Sequence, residues 1–248
     1  MIGVVFTCRE RRSLTELCLS RLIELMPQPY QLAIAYNGSN NKYIEKLLKI
    51  APEAEIISNP ENKSRFTLIN EALDTMKAKY YMHIENDFYW LNQNCLNQAV
   101  NYFEKMKEID YIRFENLPFT EKTFRGYIKL GEEKLGVMKD DAPYRFTFNP
   151  HLRREKYPCG RFQDAGFTKQ PEQHHNDNYT GTSACLFGDN FRHLGLYDEH
   201  GHYKPYYAER FTNIRGQREL ENPLIEFDKF CGNSYYRQLF MYYLYENQ

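Results

Sequence analysis

The sequence predicts an α/β protein whose core is a mainly parallel sheet covered by helices. Four short runs of β-branched and aromatic residues alternate with three helical patterns between residues 2 and 85, and polar clusters directly follow three of these runs. Strands that are separated by helices pair in parallel through right-handed crossovers, so their carboxyl ends meet at one edge of the sheet. Because open α/β sheets bind ligands at that edge, a functional site is expected there.

The elements are predicted in the following order. Strands are expected at residues 2–6, 31–36, 55–58 and 80–84, and the helices between them at 14–25, 43–50 and 66–76. Pro27 and Pro52 end the first two helices. A helix at 96–106, a strand at 111–114 and an alternating strand at 144–148 follow, whereas most of 116–178 is irregular and is expected to form long loops.

Length, charge and cysteine usage restrict the class of protein. A chain of 248 residues is expected to form a single domain, in which residues 1–115 and 116–248 make two halves. Its 32 basic and 33 acidic residues give a net charge of −1, which disfavours nucleic acid as a partner. The six cysteines form no C-x-x-C pair, and the sequence shows neither a leader peptide nor a run of about 18 apolar residues that could span a membrane. These features favour a cytoplasmic protein that is at most peripheral to a membrane.

Aromatic residues are unusually frequent, with 21 Tyr and 17 Phe against one Trp. Rings with one polar edge are enriched where proteins contact carbohydrates and other proteins. Residues 203–248 are especially rich in Tyr and Phe, and we interpret these aromatics as buried core or as a surface for homo-oligomers. Contact with a different partner or with a membrane surface stays open as an alternative.

The strongest local pattern is Glu85-Asn86-Asp87, which directly follows a predicted buried strand. Two carboxylates spaced i, i+2 at a sheet edge offer the oxygen ligands that Mg²⁺ and Mn²⁺ prefer, with water and substrate phosphates filling the other positions. The alternative is an acidic turn that caps the following segment. The other strand ends decide between these two interpretations.

Polar side chains that suit a nucleotide follow the other strands. They are Thr7 and Arg9 after the first strand, Asn37 after the second, and Asn62, Arg65 and Asn70 around the start of the third helix. Positive charge and backbone N–H groups at such edges bind phosphate, and amide groups bind base and ribose. Taken singly, Thr7 and Asn37 could be helix or turn caps, so the prediction of a nucleotide site depends on the whole set.

Residues 4–90 resemble the nucleotide-binding half of a GT-A fold glycosyltransferase similar to glycosyltransferase family 2. The resemblance lies in the T-x-R loop, the turn after the second strand, the pair of asparagines on the third segment and the D-x-D equivalent. It implies that Asp87 binds a divalent Mn²⁺ or Mg²⁺ ion. It also implies nucleotide-sugar contacts by eight residues, which are Thr7, Arg9, Asn37, Asn62, Arg65, Glu85, Asn86 and Asp87 itself.

Two positions depart from the family pattern. Tyr36-Asn37 stands where the family usually has two acids, which leaves a UDP-, GDP- or dTDP-sugar open as the donor. Glu85 replaces the usual first Asp with a longer side chain that can reach a ribose hydroxyl or a metal-bound water.

In the second half, the resemblance implies a carboxylate base at the start of a helix, a glycine after it and a histidine that completes the metal site. Glu172, Gly181 and His193 fit this series. Asp164 is the second candidate for the base, with Asp177 and Glu209 as further competitors. Phe148-Asn149-Pro150, with Arg153 and Arg154 beyond it, resembles the family's segment beside the acceptor site, and the two arginines could instead contact phosphate or an acidic acceptor.

The resemblance therefore implies a glycosyltransferase that inverts the anomeric centre and transfers a sugar to a hydroxyl of a glycan, lipid-linked or protein acceptor. Two other classes stay open. An inactive carbohydrate-binding or scaffold protein would keep the fold without turnover. A metal-dependent hydrolase would use the histidines in 174–177 and 198–202, although neither piece has a zinc-binding spacing. A nucleotidyltransferase is disfavoured because the loop after the first strand has no glycine.

Overall fold

The computed structural model describes residues 1–9, 12–59, 64–115, 123–130, 133–142, 145–163, 171–188 and 190–193. Its strands are β1 (Ile2–Cys8), β2 (Tyr30–Tyr36), β3 (Glu55–Ser58), β4 (Tyr80–Glu85), β5 (Phe88–Trp90), β6 (Tyr111–Glu115), β7 (Phe124–Leu130), β8 (Glu133–Met138), β9 (His151–Arg153), β10 (Ser183–Phe187) and β11 (Phe191–His193). The helices are α1 (Arg12–Leu25), α2 (Asn41–Ile50), α3 (Arg65–Thr75), α4 (Cys95–Lys105) and α5 (Pro171–Asn178).

Nine strands form one sheet in the order β3-β2-β1-β4-β9-β6-β10-β8-β7. The first four strands in this order pair with one another in parallel, and β6 pairs with β10 in parallel. Strand β9 lies between β4 and β6 and is antiparallel to both, and the hairpin β7–β8 closes the far side in antiparallel pairing. The sheet is therefore parallel in the first half of the chain and mixed in the second.

Successive side chains of the central strands point to opposite faces of the sheet, so the hydrophobic core has two layers. Val4 and Phe6 of β1 pack with α1 and α4 on one face, whereas Val5 packs with α3 on the other. All three side chains have no exposed surface, as expected for a central parallel strand with both faces covered. The predicted α/β class with helices flanking the sheet is confirmed.

Capping residues fix where the helices near the strand ends begin. Asn40 caps α2 through a bond from the Tyr43 N–H to Asn40 Oδ1, and Ser64 caps α3 by accepting from the Phe66 N–H. The cap at Ser64 places Arg65 in the first turn of α3, beside the carboxyl end of the sheet.

The predicted strand at 144–148 is wrong. Arg145 and Phe146 form bends, and the strand of this region is β9, which begins after Pro150. The alternating aromatic pattern has another cause, because Phe146 and Phe148 are both buried in one ring cluster with Phe66, Phe162 and His175. Side chains that converge on one cluster do not alternate across a sheet.

The expectation of long loops over 116–178 is also wrong in part. The hairpin β7–β8 extends the sheet, and the exposure of its outer strand alternates from Phe124 to Leu130. Within the described ranges, the structure has no helix that is both long enough and apolar enough to cross a membrane. The aromatic segment 203–248 lies outside the described residues.

Candidate functional site

A cleft of about 450 Å³ lies at the carboxyl ends of β1, β2 and β4. Its size is within the range of cavities that hold small molecules. It is lined by Thr7, Cys8, Arg9, Ala35, Asn37, Arg65, Leu68, Glu85, Asn86 and Asp87. A second depression, of about 530 Å³, lies near Met1, Lys77 and Lys156 and has no acidic side chain in its lining.

Strand register brings the cleft residues together from three separate segments. Thr7 pairs with Glu85, and Cys8 pairs with Tyr36, so the three polar clusters that follow these strands are neighbours. The backbone N–H of Asn37 donates to the carbonyl oxygen of Cys8 at 3.0 Å, which ties the second cluster to the first. Seven of the eight predicted nucleotide contacts line this cleft, while Asn62 lies outside the described residues.

Arg65 and Glu85 form an ion pair across the cleft, with 2.8 Å between Arg65 Nη1 and Glu85 Oε1. The Arg65 guanidinium also lies 4.8 Å from the centre of the Phe66 ring, which limits the directions it can take. The side chains are 44% and 27% exposed, and ion pairs this open contribute little to stability. Both groups can therefore exchange their partner for a ligand at small cost.

The hydroxyl of Thr7 faces the protein interior as well as the cleft. Its oxygen lies 3.1 Å from His83 Nε2 and 3.3 Å from the carbonyl oxygen of Ile84. His83 Nδ1 lies 2.9 Å from the carbonyl oxygen of Phe148, and a carbonyl can only accept, so Nδ1 carries the proton and Nε2 accepts. The single hydrogen of Thr7 is therefore used inside the protein, and only its lone pairs can meet a ligand.

Burial keeps His83 neutral, because desolvation lowers its pKa to about 3. The neighbouring guanidinium groups of Arg153 and Arg65 lower the pKa further. This histidine supports the floor of the cleft and adds no positive charge to it.

The side chain of Asn86 bonds to α1 inside the protein, and the side chain of Asp87 lines the cleft. The Asn86 amide donates from Nδ2 to Thr15 Oγ1 at 2.7 Å, so this nitrogen is engaged with α1. Asp87 lines the cleft and is 9% exposed. A carboxylate at the end of a strand in a partly closed cleft can bind a cation with little competition from bulk water.

The side-chain oxygen of Asn37 is buried and accepts no hydrogen bond from any of the described residues. A buried acceptor left in this state costs about 1–3 kcal/mol, which a ligand donor or a water recovers. Asn37 thus offers an acceptor for an N–H or O–H group in the cleft.

The oxygen-rich lining fits a hard divalent cation. Glu85 and Asp87 provide carboxylates, and Mg²⁺ or Mn²⁺ is commonly held by one or two carboxylates together with substrate phosphates. Among the described residues, no group of three or more His, Cys, Asp or Glu side chains comes close enough to hold a metal by itself. A zinc site, which needs three or four such ligands, is not formed by that part of the chain.

The histidines proposed for a hydrolase serve other contacts. His174 Nε2 lies 3.1 Å from Gln163 Nε2, and His175 is buried against Phe148 and Phe162. Burial lowers the pKa of His175 below its ordinary value. The second histidine-rich piece, 198–202, lies outside the described residues.

Other predicted residues lie away from the cleft. Asn70 forms a reciprocal pair with the backbone of Phe162, donating to its carbonyl at 2.7 Å and accepting from its N–H at 3.0 Å. Arg153 has no exposed surface, and Arg154 donates to the carbonyl oxygens of Ile109 and Met106. The interpretation of the two arginines as acceptor contacts is therefore wrong, because backbone carbonyls inside the protein engage both guanidinium groups.

The fold brings the backbone of His193 close to Asp87. In the two-stranded sheet, His193 of β11 pairs with Phe88 of β5, which is the residue after Asp87. Glu172 is the second residue of α5. The side chains of Glu172 and His193 lie outside the described part of the chain, as do Asp164 and Glu209.

Thr15 is the main cleft-supporting residue that sequence reasoning missed. It is buried in α1 and accepts the bond from Asn86. A threonine between Leu14 and Leu17 on a helix with an apolar face is a signal for a buried hydroxyl with a fixed partner.

No protein-family model and no curated protein matches the sequence. Solved structures do share its fold. The chain aligns with the mannosyltransferase PcManGT from Pyrobaculum calidifontis, solved in complex with GDP-Man and Mn²⁺, at 11% identity and a TM-score of 0.55, covering 100% of this chain and 88% of that one. It aligns with S. aureus TarS 1–349 at 11% identity and a TM-score of 0.54, covering 99% and 81%.

A further structure of S. aureus TarS aligns at 12% identity and a TM-score of 0.52, covering 75% of this chain and 35% of that one. The chain thus spans about a third of the length of that structure. It spans 58% of the length of TarS 1–349 solved in complex with UDP. At these identities the likeness establishes the fold. The chain has the GT-A glycosyltransferase fold, which confirms the fold that the sequence resemblance implied.

Proposed function

We propose that this protein is a glycosyltransferase that binds a nucleotide-diphosphate sugar and a divalent cation in the cleft and transfers the sugar to a hydroxyl acceptor. The observation that carries the proposal is the convergence of an unsatisfied acceptor, two cationic side chains and two carboxylates at the carboxyl ends of three parallel strands. This set matches the base, diphosphate and metal of one ligand class.

Each cleft residue has a distinct role in this proposal. The unsatisfied oxygen of Asn37 accepts from an N–H of the base. Arg9 and Arg65 provide positive charge for the diphosphate, and Arg65 leaves its exposed pair with Glu85 to do so. Glu85 then accepts from a ribose hydroxyl, while the side chains of Thr7 and Asn86 keep the strand ends in place.

Asp87 and His193 are the proposed metal ligands, with Glu85 beside them. Mn²⁺ or Mg²⁺ bound there would act as a Lewis acid toward the departing phosphate. The pairing of His193 with Phe88 supports this assignment because it brings two segments that are distant in sequence to adjacent positions. The ligands of two structural neighbours, GDP-Man with Mn²⁺ and UDP, support the ligand class.

The proposed reaction inverts the anomeric centre. The acceptor hydroxyl gives its proton to a carboxylate, its oxygen forms the new bond to the anomeric carbon, and the bond to the nucleoside diphosphate breaks on the opposite side. Glu172 is the favoured base because it opens α5, and Asp164 is the second candidate. The acceptor is a glycan, a lipid-linked sugar or a protein hydroxyl.

Turnover of a donor panel tests the proposal without knowledge of the acceptor. UDP-, GDP- and dTDP-sugars are incubated with the protein, with and without Mn²⁺, and slow release of the nucleoside diphosphate is measured. We expect Mn²⁺-dependent hydrolysis of one nucleotide class, and about a 100-fold loss of rate in Asp87→Asn, because a charge at the leaving phosphate is lost.

Asp140→Asn is the matched control, since the Asp140 side chain is 79% exposed and does not line the cleft. Its rate should equal that of the wild type. Saturable binding of a glycan without any hydrolysis would favour the carbohydrate-binding alternative, and equal rates in Asp87→Asn and wild type would rule out Asp87 as the metal ligand.

A further inference from the structure

A hydrogen-bond chain runs beneath the cleft from the Glu85–Asp87 turn to the loop that follows β1. Asn86 Nδ2 donates to Thr15 Oγ1 at 2.7 Å, and Thr15 Oγ1 donates to the carbonyl oxygen of Arg9 at 3.4 Å. Thr15 has no exposed surface, and Asn86 is 8% exposed. The chain therefore joins the two walls of the cleft through a residue that no ligand can touch.

The directions of both bonds are fixed by the chemistry of the hydroxyl group. A threonine has one hydrogen to donate and lone pairs to accept with, and an amide nitrogen can only donate. Thr15 must therefore accept from Asn86, which leaves its hydrogen for the carbonyl of Arg9 or for the hydroxyl of Tyr43 beside it. Because Thr15 is fully buried and Asn86 nearly so, breaking the bond between them leaves a buried amide donor unsatisfied.

Helix α1 holds the same segment at a second point. Arg21 Nε donates to the carbonyl oxygen of Trp90 at 3.0 Å, and Arg21 is 7% exposed. The stretch from Asn86 to Trp90, which contains Asp87, is thus fixed to α1 at both ends. Of these two contacts, the one through Thr15 is next to the carboxylate.

We propose that Thr15 is a positioning residue for the metal-binding turn. Through Asn86 it fixes the backbone that carries Asp87, and through the carbonyl of Arg9 it couples that turn to the loop on the other wall. The metal role of Asp87 belongs to the proposed function, so this role of Thr15 rests on it. Residues that orient metal ligands typically change metal affinity 10- to 100-fold when they are replaced.

Thr15→Val tests the role because it keeps the shape of the side chain and removes the hydroxyl. Mn²⁺ binding is measured by the electron paramagnetic resonance signal of free Mn²⁺, in the presence of UDP, GDP or dTDP. We expect about tenfold weaker Mn²⁺ binding in Thr15→Val and near-wild-type binding in Thr15→Ser, which restores the hydroxyl.

Hydrogen exchange of the metal-free protein gives a readout that does not depend on the ligand. Exchange at residues 86 and 87 should be faster in Thr15→Val. Thr147→Val is the matched control, because Thr147 is also buried and its hydroxyl oxygen accepts from the Asn149 N–H at 3.2 Å away from the cleft. It should lower stability without changing exchange at the turn or Mn²⁺ affinity.

The two proposals fail in different ways. If Thr15→Val leaves both the exchange at the turn and the Mn²⁺ affinity unchanged, Thr15 does not position the turn, although the proposed function stands. If the wild type binds no Mn²⁺ with any of the three nucleotides, the proposed function fails and the metal-positioning role of Thr15 fails with it, whatever the exchange rates show.

Discussion

Two groups of polar side chains occupy neighbouring positions in the same sheet and differ in where their hydrogen bonds go. The cleft group, which consists of Arg9, Asn37, Arg65, Glu85 and Asp87, lies at the ends of strands or in the first turn of a helix. The interior group, which consists of His83, His151 and Arg153, lies inside β4 and β9, where His83 and His151 are paired in register.

The interior group binds the protein's own backbone. Arg153 donates to the carbonyl oxygens of Glu155 at 3.1 Å and Lys156 at 3.3 Å, and His151 Nδ1 lies 2.8 Å from the carbonyl oxygen of Asn149. Burial lowers the pKa of Arg153 to about 10, so it stays charged at neutral pH. The comparison indicates that position along a strand decides whether a polar side chain is engaged by the protein's own backbone or faces the cleft.

Removing the interior guanidinium should have the largest effect on stability. Arg153→Met keeps the apolar stem but leaves the buried Nε2 of His151 and the carbonyls of Glu155 and Lys156 without a charged donor, which should cost about 3 kcal/mol of the free energy of unfolding. Urea denaturation measures this loss. Arg125→Met is the control, since Arg125 is 47% exposed and its ion pair with Asp140 spans 3.9 Å, and it should change stability by less than about 0.5 kcal/mol. Equal losses in the two variants would contradict the distinction.

The interior histidines should make stability fall on mild acidification. Their pKa values are lowered mainly by burial, to about 3 for His83, so the folded state stays neutral while the unfolded chain takes up protons below pH 6.5. Their stabilisation is complete above that pH and is lost as the pH falls toward 3. At pH 5, His83 alone should account for about 2 kcal/mol.

Urea denaturation between pH 7 and pH 5 checks this slope. That window lies above the range in which Asp74 and Glu104 titrate, because ion pairs and hydrogen bonds lower the pKa of both carboxyls. His83→Gln should flatten the profile while lowering stability at pH 7. A wild-type profile without any slope in this window would show that the histidines are protonated in the folded state.

In the cleft group, a substitution should weaken binding without lowering stability. Asn37→Ala removes an acceptor that makes no hydrogen bond to the described residues, so the free energy of unfolding should not fall below that of the wild type. Nucleotide binding should weaken about fivefold, the equivalent of one hydrogen bond of about 1 kcal/mol. Parallel thermal denaturation and calorimetry measure the two effects. A large loss of stability with unchanged binding would move Asn37 into the structural group.

The same contrast explains what could be predicted from the sequence. Strand ends were predictable because strand type and order follow from local patterns, and parallel register then brings Thr7, Asn37 and Glu85 to one edge. The hydrogen-bond partners of Asn70 and Asn86 could not be predicted, because each amide bonds to a residue that is distant in sequence. The partner is Phe162 for Asn70 and Thr15 for Asn86. The sequence shows the amide group but not what it faces.

Strand β9 shows a second reason for failure. Its three residues enter between β4 and β6 and pair with both in antiparallel register. So short a strand has no periodicity of its own, and the aromatic alternation just before it indicated a strand in the wrong place. Only the long-range pairing defines this element, and local pattern carries no information about it.

Calorimetric titration of UDP, GDP and dTDP, with and without Mn²⁺, tests most directly whether the cleft binds a nucleotide with a cation. We expect one of the three nucleotides to bind saturably with Mn²⁺, and Asp87→Asn to lose the Mn²⁺ dependence while its unfolding free energy stays close to that of the wild type. Absence of binding by all three nucleotides, or identical Mn²⁺-dependent binding in wild type and Asp87→Asn, would contradict the account.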